Sequence, residues 1–482
     1  MIKDISYAIV GLGRSGLATC EVLSDLGASI KVFANKNDDI SKVSSLNVEI
    51  IPCSSNDDLA EKLSKDKSDC VIISPGISST GVIWKCLYDS KRKVLSDVEL
   101  AWRYSLELIE KGEKVPEWFC ITGTNGKTTT TGMLNSIFLS AGLRSCAVGN
   151  IGLPVIHAIH EKKYDVLAVE LSSFNLHACM SLSPVSACCI NVSADHIDWH
   201  GSFEDYAADK ARIYHACQKA CVYNCEDLLT KKMVEEADVI EGCKAVGVTM
   251  STPLVGQIGI VENMIVDRAF IKNKYSHGQI LATFEDLKHL CPGSEKVSET
   301  LIQDAMFASA LARSYGVESA FIELGLRNFV LASHRFAYVD KIDNVTYIDD
   351  SKATNLHAML SALKMLPDGR VILLCGGDAK GADISDVFVK AKNKLKALVI
   401  LGADHFDILK AYNESGLKID AKIVEENSNL AEYMNMAVTM AKNFADSGDF
   451  VLLSPGCASW DQFKSYKQRG DLFVEAVKRL KG

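Results

Sequence analysis

Short apolar segments alternate with amphipathic segments along most of the chain. The apolar segments, rich in valine, isoleucine and leucine, are typical of strands buried on both faces of a parallel sheet, and the amphipathic segments are typical of helices. Regular alternation of the two favours an α/β fold. We predict strands at 5–10, 29–33, 70–74, 118–121, 166–169, 187–190, 345–348, 371–374, 397–401 and 450–453.

One part of the chain departs from this alternation. From about residue 218 to 290 the pattern changes to short alternating β segments, such as 256–261. A helix with apolar periodicity then runs from Ser298, whose hydroxyl suits an N-cap, to Tyr315, and Gly316 closes it.

The length of 482 residues is enough for about three domains. A charged segment at 110–116 has the composition of a linker, and a new series of strands and helices begins near residue 333. We therefore predict a three-domain α/β protein. Its parts are an N-terminal Rossmann-like domain that binds the substrate at 1–113, a central P-loop ATPase domain at 114–331, and a C-terminal Rossmann-like domain at 332–482.

A glycine-containing loop joins the strand at 118–121 to a helix whose apolar positions run over 133–142. The loop reads Gly123-Thr-Asn-Gly126-Lys127-Thr128. A loop between strand and helix directs backbone N–H groups and the positive end of the helix dipole at one point, where a polyphosphate binds. Lys127 would reach the outer phosphates of ATP, and the Thr128 hydroxyl would ligate Mg²⁺. The spacing is tighter than the common P-loop, and the alternative is a glycine turn with a solvated lysine.

A second glycine loop, Gly11-Leu-Gly13-Arg14-Ser15-Gly16, lies between the first predicted strand and helix. This is the Rossmann arrangement for holding a diphosphate. The next strand ends in Ala34-Asn35-Lys36 rather than in the acidic residue that would bind the ribose of NAD, so NAD is disfavoured. The loop at 74–76 is expected at the same sheet edge. A tight turn without a ligand is the alternative.

Other polar side chains also follow predicted strands. Glu170 and His196 come after neighbouring strands of the central domain, where the ligands of a Mg²⁺–phosphate site belong. Lys352, Lys380 and Ser459 follow strands of the C-terminal domain and are expected to line one face of it. Each residue alone could be an ordinary surface or hydrogen-bonded side chain.

Composition narrows the class of partner. A net charge of −9 argues against nucleic acid or an anionic membrane. No apolar run reaches membrane-spanning length and no leader is recognised, so we expect a cytoplasmic protein without membrane insertion. The 16 cysteines are expected to be free, buried thiols. For Cys217, Cys221 and Cys225, core packing is favoured over metal binding.

Three such domains suit a particular reaction. Phosphate would pass from ATP to a carboxylate held by the first domain, and an amine presented near the third would attack the acyl phosphate. Cations and Mg²⁺ would neutralise the charge that develops on the phosphoryl group and on the tetrahedral intermediate. Domain closure would shield the acyl phosphate from water.

Several motifs together resemble the Mur ligases of bacterial cell-wall synthesis. They are Gly11–Gly16, Ser74–Ile77, Gly123–Thr128, Glu170–Phe174, Asp195–His196, His334–Phe336, Asp350–Asn355, Gly376–Lys380 and Ser454–Gly470. The resemblance spans all three domains. It is greatest to the members that add D-glutamate to UDP-N-acetylmuramoyl-L-alanine, and it implies an ATP-dependent ligase with small-molecule substrates, two Mg²⁺ ions and a monomeric state.

The resemblance also implies roles for single residues. ATP would be bound by Gly123, Thr124, Asn125, Gly126, Lys127, Thr128, Thr129, Arg335 and Asp350. The UDP substrate would be bound by Gly13, Arg14, Ser15, Asn35, Ser74, Gly76 and Asn150. D-Glutamate would be bound by Thr354, Lys380, Ser459 and Tyr466. The metal would be held by Thr128, Glu170, His196 and Lys210, the last as a carbamate. The catalytic residues would be Lys127, Lys210, His196 and Lys352.

Some positions depart from the family pattern. Asp304 stands where an asparagine usually contacts adenine, Asn35 replaces an aspartate near the uracil, and Tyr466 replaces a phenylalanine near the glutamate. The alternatives are a related ligase for another amino acid, a folylpolyglutamate synthetase, a nicotinamide dehydrogenase and a non-catalytic P-loop regulator. The run from Ser459 to Gly470 argues against the first two.

Overall fold

The computed structural model describes residues 2–36, 38–90, 92–291, 296–331, 333–379, 384 and 386–481. These residues form three sheets of five, nine and six strands, which confirms the predicted three-domain α/β fold. The chain divides into two compact units. The first comprises Met1–Asp286 and Gln303–Phe329, and the second comprises Leu287–Ile302 and Val330–Gly482.

The N-terminal sheet is parallel throughout. Its strands are β1 (Ser6–Val10), β2 (Ser29–Asn35), β3 (Glu49–Cys53), β4 (Cys70–Ile73) and β5 (Lys93–Leu95). Its helices are α1 (Arg14–Asp25), α2 (Asn56–Lys65), α3 (Val82–Ser90) and α4 (Asp97–Glu110). The strand order β3-β2-β1-β4-β5 reverses direction between β1 and β4, so the loops after these two strands meet at one edge.

The central sheet holds the phosphate loop. Its strands are β6 (Glu117–Thr122), β7 (Ser145–Gly149), β8 (Val166–Glu170), β9 (Ser186–Cys189), β10 (Ala220–Asn224), β11 (Lys244–Val248), β12 (Gln257–Val261), β13 (Met264–Asp267) and β14 (Gln279–Thr283). Its helices are α5 (Lys127–Ser140), α6 (Val155–Glu161), α7 (Ser173–His177), α8 (Ile197–His200), α9 (Phe203–Ala211), α10 (Leu228–Glu235), α11 (Glu299–Tyr315) and α12 (Ser319–Asn328). The order is β14-β13-β12-β11-β10-β9-β6-β8-β7, and β13 runs antiparallel to both of its neighbours.

The β-rich pattern at 218–290 is confirmed, with one helix that was not predicted. Helix α10 interrupts the strands, and the Asp227 carboxylate caps it by accepting the N–H groups of Leu229 and Thr230. The predicted cap of α11 is also present, since the Leu301 N–H donates to Ser298 Oγ at 3.1 Å.

The first two sheets share a continuous core. Trp102 on α4 packs edge-on against Trp118 on β6, with ring centroids 5.4 Å apart. The guanidinium of Arg14 donates to the carbonyl oxygens of Gly149 (2.9 Å) and Gly152 (3.1 Å). Both sheets therefore belong to one compact unit, and the boundary near residue 113 stays a prediction.

The second unit contains the six-stranded sheet. Its strands are β15 (Ala337–Ile342), β16 (Val345–Asp349), β17 (Val371–Cys375), β18 (Leu395–Ile400), β19 (Asp420–Ile423) and β20 (Phe450–Leu453). Its helices are α13 (Leu356–Lys364), α14 (Val387–Ala391), α15 (Phe406–Glu414), α16 (Leu430–Phe444) and α17 (Tyr466–Arg479). The order is β15-β16-β20-β17-β18-β19, with β15 antiparallel at one edge. Alternate strand residues enter two separate apolar clusters, one packed on α13 and α14 and the other on α16 and α17.

Short 3₁₀ helices cover Ile2–Asp4, Ile40–Val43, Arg212–Tyr214 and Phe284–Leu290. Within the described residues, no helix combines the length and the hydropathy needed to cross a bilayer.

Candidate active site

The phosphate loop begins where β6 ends and closes at the first residue of α5, Lys127. Gly126 caps the helix with φ +85°, a left-handed conformation that favours glycine. A Cβ at this position would lie 2.4 Å from Asp304 Oδ1, so the loop packs directly on α11. The Lys127 ammonium bends back over the loop and donates to the carbonyl oxygens of Gly123 (2.7 Å) and Thr124 (2.9 Å). This lysine is therefore held over the backbone that would surround a polyphosphate.

Loops from the neighbouring strands bring oxygen ligands to the same edge. Glu170, the last residue of β8, pairs with Ile121 in β6 and is almost completely buried. Its Oε2 accepts the Thr128 hydroxyl at 2.7 Å, and its Oε1 accepts the Asn150 amide at 2.9 Å. Three loops thus meet at one carboxylate. Asn150, predicted to contact the UDP substrate, orients this carboxylate in the structure.

Lys210 lies at the same loop, although its own helix pattern does not single it out. Its side chain is 2% exposed, and its Nζ donates to Gly123 O at 2.9 Å, the oxygen that also accepts Lys127. The amine sits over the Tyr206 ring, 4.6 Å from its centroid, and the Tyr206 hydroxyl hydrogen-bonds the Thr124 hydroxyl at 2.8 Å. Burial, followed by the nearby Lys127 charge, lowers the pKa of Lys210 from 10.5 to about 7. Its neutral amine is therefore substantially populated near neutral pH.

His196 follows β9 and caps the short helix α8 in a left-handed conformation, with φ +54°. Its ring packs edge-on against Phe174, with centroids 4.9 Å apart, and its Nε2 lies 3.6 Å from Asp195 Oδ2. Phe174 lies in α7, four residues after Glu170, so His196 is placed beside the Glu170 loop.

The residues at this edge fit a Mg²⁺ ion. A threonine hydroxyl and a buried carboxylate are hard oxygen donors, and they already lie within hydrogen-bond distance of each other. The metal-binding roles predicted for Thr128, Glu170, His196 and Lys210 stay predictions.

A hydrogen-bonded network that the sequence did not reveal lies behind Lys210. Asp209 Oδ2 is 2.8 Å from His177 Nδ1 and 2.9 Å from His200 Nδ1. The other ring nitrogens are also occupied, His177 Nε2 by the Tyr88 hydroxyl (2.8 Å) and His200 Nε2 by the Ser173 hydroxyl (2.9 Å). Because all four nitrogens have hydrogen-bond partners, this is a positioning network rather than a metal site. It ties α9, which carries Lys210, to α7 and to α3.

The network has a weak sequence signature. Asp209 is adjacent to Lys210, and His200 follows His196 in the same short segment. Nothing in the spacing indicates that His177 converges on them, since that contact depends on how three helices pack.

The predicted UDP-binding residues of the N-terminal loops come together. The Ser74 N–H donates to Val10 O at 3.0 Å, and a Cβ on Gly11 would lie 2.9 Å from Ser74 Cβ, so the two loops touch. Gly13 and Gly76 both lie beside Ser74 Oγ. Burial raises the pKa of the Asp97 carboxyl, and the nearby Ser15 side chain opposes this rise.

Asp38 also lies at this edge and was not predicted from the sequence. Its Oδ1 accepts the Leu12 N–H of the glycine loop at 3.2 Å, and its Oδ2 accepts the Asn35 N–H at 2.7 Å. The Asn35 side chain lies on the same edge, where it donates to Asn56 Oδ1 at 3.4 Å. An acidic residue is therefore present after β2, three positions later than in the Rossmann pattern.

The second unit has its own group of predicted site residues. Asp350, which directly follows β16, accepts the Phe336 N–H (3.1 Å) and the Ser454 hydroxyl (2.8 Å). Burial raises the pKa of Asp350 from 3.8 to about 7, and Arg335 opposes this rise. The neighbouring His334 Nδ1 is 2.6 Å from Asp349 Oδ2, a contact that raises the pKa of His334.

A buried arginine fastens the loops of this unit together. Arg469 donates to Ser351 O (2.9 Å) and Oγ (3.1 Å) and to Cys457 O (3.3 Å), so it joins the loop after β16 to the loop after β20. These two loops carry Lys352 and Ser459. Burial lowers the pKa of Arg469 to about 10.

Two more predicted residues lie on these loops. The Lys352 ammonium lies over the Tyr466 ring, 5.1 Å from its centroid, and the Thr354 N–H donates to Lys352 O at 2.8 Å. Ser459 is buried and its carbonyl accepts the Phe463 N–H at 2.7 Å. Lys380 lies outside the described residues.

Comparisons with known proteins cover both units. A family model described as Mur ligase middle domain matches residues 121–255, and one described as Mur ligase, glutamate ligase domain matches residues 334–457. The chain is 40% identical to the UDP-N-acetylmuramoylalanine–D-glutamate ligase of Streptomyces avermitilis over 476 residues, 98% of each protein. It is also 40% identical to that of Streptomyces coelicolor over 477 residues, 98% of this chain and 97% of the relative.

A solved structure supports the same architecture. The UDP-N-acetylmuramate-alanine ligase MurC of Thermotoga maritima aligns with a TM-score of 0.56 and 17% identity, over 98% of this chain and 99% of that one. At this identity the likeness concerns the fold alone.

Proposed function

The chain belongs to the Mur ligase family of ATP-dependent ligases in peptidoglycan synthesis, and we propose that it adds D-glutamate to UDP-N-acetylmuramoyl-L-alanine. One observation carries the proposed chemistry: Lys127 and Lys210 converge on Gly123 O beside the Thr128–Glu170 pair. The names of the full-length relatives support the choice of substrates.

In the first step, a carboxylate oxygen of the UDP substrate attacks the γ-phosphorus of ATP. The bond from that phosphorus to the bridging oxygen breaks, and ADP leaves. The loop amides and the Lys127 ammonium offset the charge on the transferred group. Thr128, Glu170 and His196 would hold Mg²⁺, with a carbamate on Lys210 as a further carboxylate. When bound, Mg²⁺ supplies additional neutralisation of the phosphate oxygens.

In the second step, the amine of D-glutamate attacks the acyl carbon and loses a proton, and the carbon–oxygen bond to phosphate breaks. Lys352, Thr354, Ser459 and Tyr466 are proposed to bind the amino acid, because an ammonium and hydroxyls suit its carboxylates. The Tyr466 ring under the Lys352 ammonium supports a fixed position for that charge. Arg335 and Asp350 are proposed to bind the nucleotide.

The N-terminal loops are proposed to hold the UDP moiety. The close contact between the Gly11–Gly16 loop and Ser74 supports a shared binding edge at the reversal of strand order. Arg14 is largely committed to the Gly149 and Gly152 carbonyls, so we assign it to fixing the central loop against the substrate loop.

An asparagine at position 209 is expected to slow the reaction without unfolding the protein. The neutral amide oxygen of asparagine accepts the two imidazole N–H groups more weakly than the carboxylate does, and its NH₂ group replaces the oxygen that pairs with Arg212. Helix α9 and Lys210 are therefore held less firmly. Removing a residue that positions the groups around a metal site typically lowers activity about 10- to 100-fold. We expect kcat to fall by a factor within that range. The Mg²⁺ concentration for half-maximal phosphate release should rise in parallel.

Asp205→Asn is the matched control, since Asp205 lies on the same helix and is exposed. Thermal melting checks that both variants fold. An Asp209→Asn enzyme with an unchanged kcat and Mg²⁺ profile would rule out the positioning role.

Phosphate release should depend on the amino acid supplied. The assay contains ATP, Mg²⁺ and UDP-N-acetylmuramoyl-L-alanine. We expect turnover with D-glutamate and at least about 100-fold slower turnover with L-glutamate, L-lysine or meso-diaminopimelate. The reason is that a wrong amino acid leaves buried polar groups of the site without hydrogen-bond partners. Product formation followed by mass spectrometry separates ligation from ATP hydrolysis. Faster turnover with any other amino acid overturns the substrate assignment, although not the ligase assignment.

Family membership removes the dehydrogenase and the non-catalytic regulator from consideration. The presence of two Mg²⁺ ions, the monomeric state and the cytoplasmic location stay predictions. Sedimentation of the purified chain tests the monomeric state.

A further inference from the structure

Three cysteine sulfurs converge at the amino ends of β10 and β11. They belong to Cys217, Cys221 and Cys243, and all three lie within 4.8 Å of one another. The sequence spacing suggested Cys225 as the third member of this group. In the structure Cys225 instead accepts the Gln257 amide at 3.5 Å, and Cys243, 22 residues beyond Cys221, takes its place.

The separation of two of these sulfurs matches that of a metal–thiolate site. Cys221 Sγ and Cys243 Sγ are 3.8 Å apart. A zinc–sulfur bond of about 2.3 Å places two tetrahedral thiolates about 3.8 Å apart, and a trigonal Cu⁺ site needs a similar spacing. No sulfur has to move far to reach a common ion.

The backbone holds the three cysteines in this arrangement before any ion binds. The segment before β11 is tied to the segment before β10 by the Ala216 N–H to Asp238 O (2.7 Å), the Ile240 N–H to Cys217 O (3.0 Å) and the Lys244 N–H to Lys219 O (3.0 Å). An ion would therefore bind sulfurs that are already ordered, with little entropic cost.

The donor set and the exposure of the group favour a soft cation. Among the described residues, the group contains three thiols and no histidine or carboxylate, and thiolates select Zn²⁺ and Cu⁺ over Mg²⁺. Cys217 and Cys221 are buried, whereas Cys243 is partly exposed and gives an ion access from solvent. The hydrogen bonds of these thiols, such as Cys217 Sγ to Ala220 O at 3.3 Å, are weak enough to be replaced.

We propose that Cys217, Cys221 and Cys243 form a binding site for one thiophilic d¹⁰ cation, Zn²⁺ or Cu⁺, that stabilises the central domain. Each coordinating thiol releases its proton to solvent, and no redox step is involved. The site lies at the amino ends of the strands, whereas the phosphate loop follows the carboxyl end of β6. Binding should therefore raise the thermal midpoint and leave phosphate release unchanged.

Metal titration of the purified full-length protein tests this site. The protein is stripped with chelator, kept reduced, and titrated anaerobically with Zn²⁺ against a chromophoric chelator and separately with Cu⁺ against bicinchoninate. We expect one equivalent of at least one of these ions to bind. The Zn²⁺ arm is repeated with Co²⁺, whose thiolate charge-transfer band identifies sulfur ligands directly.

Cys243→Ser is the main variant because its side chain is partly exposed, and Cys221→Ser provides a second. Either change should weaken metal binding by more than about 10-fold. Removing a residue that only positions a metal ligand already lowers the affinity by about that factor, and these cysteines would be ligands themselves. Cys225→Ser is the control, because Cys225 follows the opposite, carboxyl end of β10, and this variant should bind normally. Melting of the metal-free variants shows that they fold.

The Zn²⁺ and Cu⁺ arms distinguish the two ions, and binding of either supports the site. Failure of both ions to bind overturns the proposal. Binding that survives Cys243→Ser and Cys221→Ser, or that is lost in Cys225→Ser, also overturns it. The proposal does not depend on the ligase reaction, since its readouts are metal content and melting temperature.

Discussion

The Lys127→Ala substitution is expected to lower kcat/KM for ATP about 1,000-fold or more. A loss of this size is typical when a preorganised charge is removed from a phosphoryl-transfer site. The Lys127 ammonium is held at the loop by Gly123 O and Thr124 O. It is therefore positioned before the reaction begins and needs no rearrangement of solvent when charge develops. Steady-state phosphate release measures the loss, and fluorescent nucleotide binding separates affinity from catalysis.

Lys163→Ala is the control for this variant, because Lys163 is exposed and pairs only weakly with Glu161 at 3.3 Å. A methionine at position 127 keeps the length of the side chain without its charge and should be as inactive as alanine. Near-normal turnover in Lys127→Met would contradict the assignment of the phosphate site.

The phosphate loop could be predicted because everything it needs is contiguous in the chain. A buried strand, two glycines with positive φ and a helix N-terminus follow one another within a few residues, and the structure has them in that order. Helix α5 begins at Lys127, earlier than its apolar pattern at 133–142 suggested, because its first turn is a lysine followed by polar threonines. Most of the parallel strands were predictable for the same local reason, but β3, β7 and β19 were not predicted.

Contacts between distant segments could not be predicted in this way. Lys210 reaches Gly123 across 87 residues, and Asp209 joins His177 and His200 from three separate helices. The third cysteine of the thiol group likewise depends on the pairing of β10 with β11. The family resemblance identified Lys210, but no pattern in the residues around it did, because tertiary packing alone determines its burial.

The two units differ in how far the structure supports their predicted roles. In the first unit, loops after β6, β7 and β8 meet at Glu170. In the second unit, Arg469 fixes the loops that carry Lys352 and Ser459, but Lys380 is outside the described residues. The amino-acid assay is therefore the stronger test for the second unit, whereas single substitutions are informative for the first.

The Lys210→Met substitution is expected to lower kcat about 100-fold or more and, at the same time, to stabilise the folded protein. The activity is lost because the amine, or the carbamate formed on it, no longer acts beside the phosphate loop. Stability rises because methionine fills the same buried space without an ionisable group, whose charged form costs several kcal/mol to bury. The loss of the hydrogen bond to Gly123 O and of the contact with Tyr206 opposes this gain.

The stability gained by Lys210→Met should decrease as the pH rises. The pKa of Lys210 is about 7 in the folded protein and 10.5 in the reference state, so between these values the unfolded chain binds more protons. The wild-type free energy of unfolding therefore rises with pH across this window, and the advantage of Lys210→Met shrinks. Urea unfolding at about pH 6 and about pH 9, in buffers freed of carbon dioxide so that the amine stays unmodified, measures both differences.

Lys232→Met is the control, since Lys232 is exposed and should show neither effect. Adding bicarbonate should raise the activity of the wild type but not that of Lys210→Met, because only a neutral amine can form a carbamate. Equal stabilisation at both pH values would show that the Lys210 amine is not depressed in pKa by burial. Full activity in Lys210→Met would remove this residue from the site, since the reaction would then need neither its amine nor its carbamate.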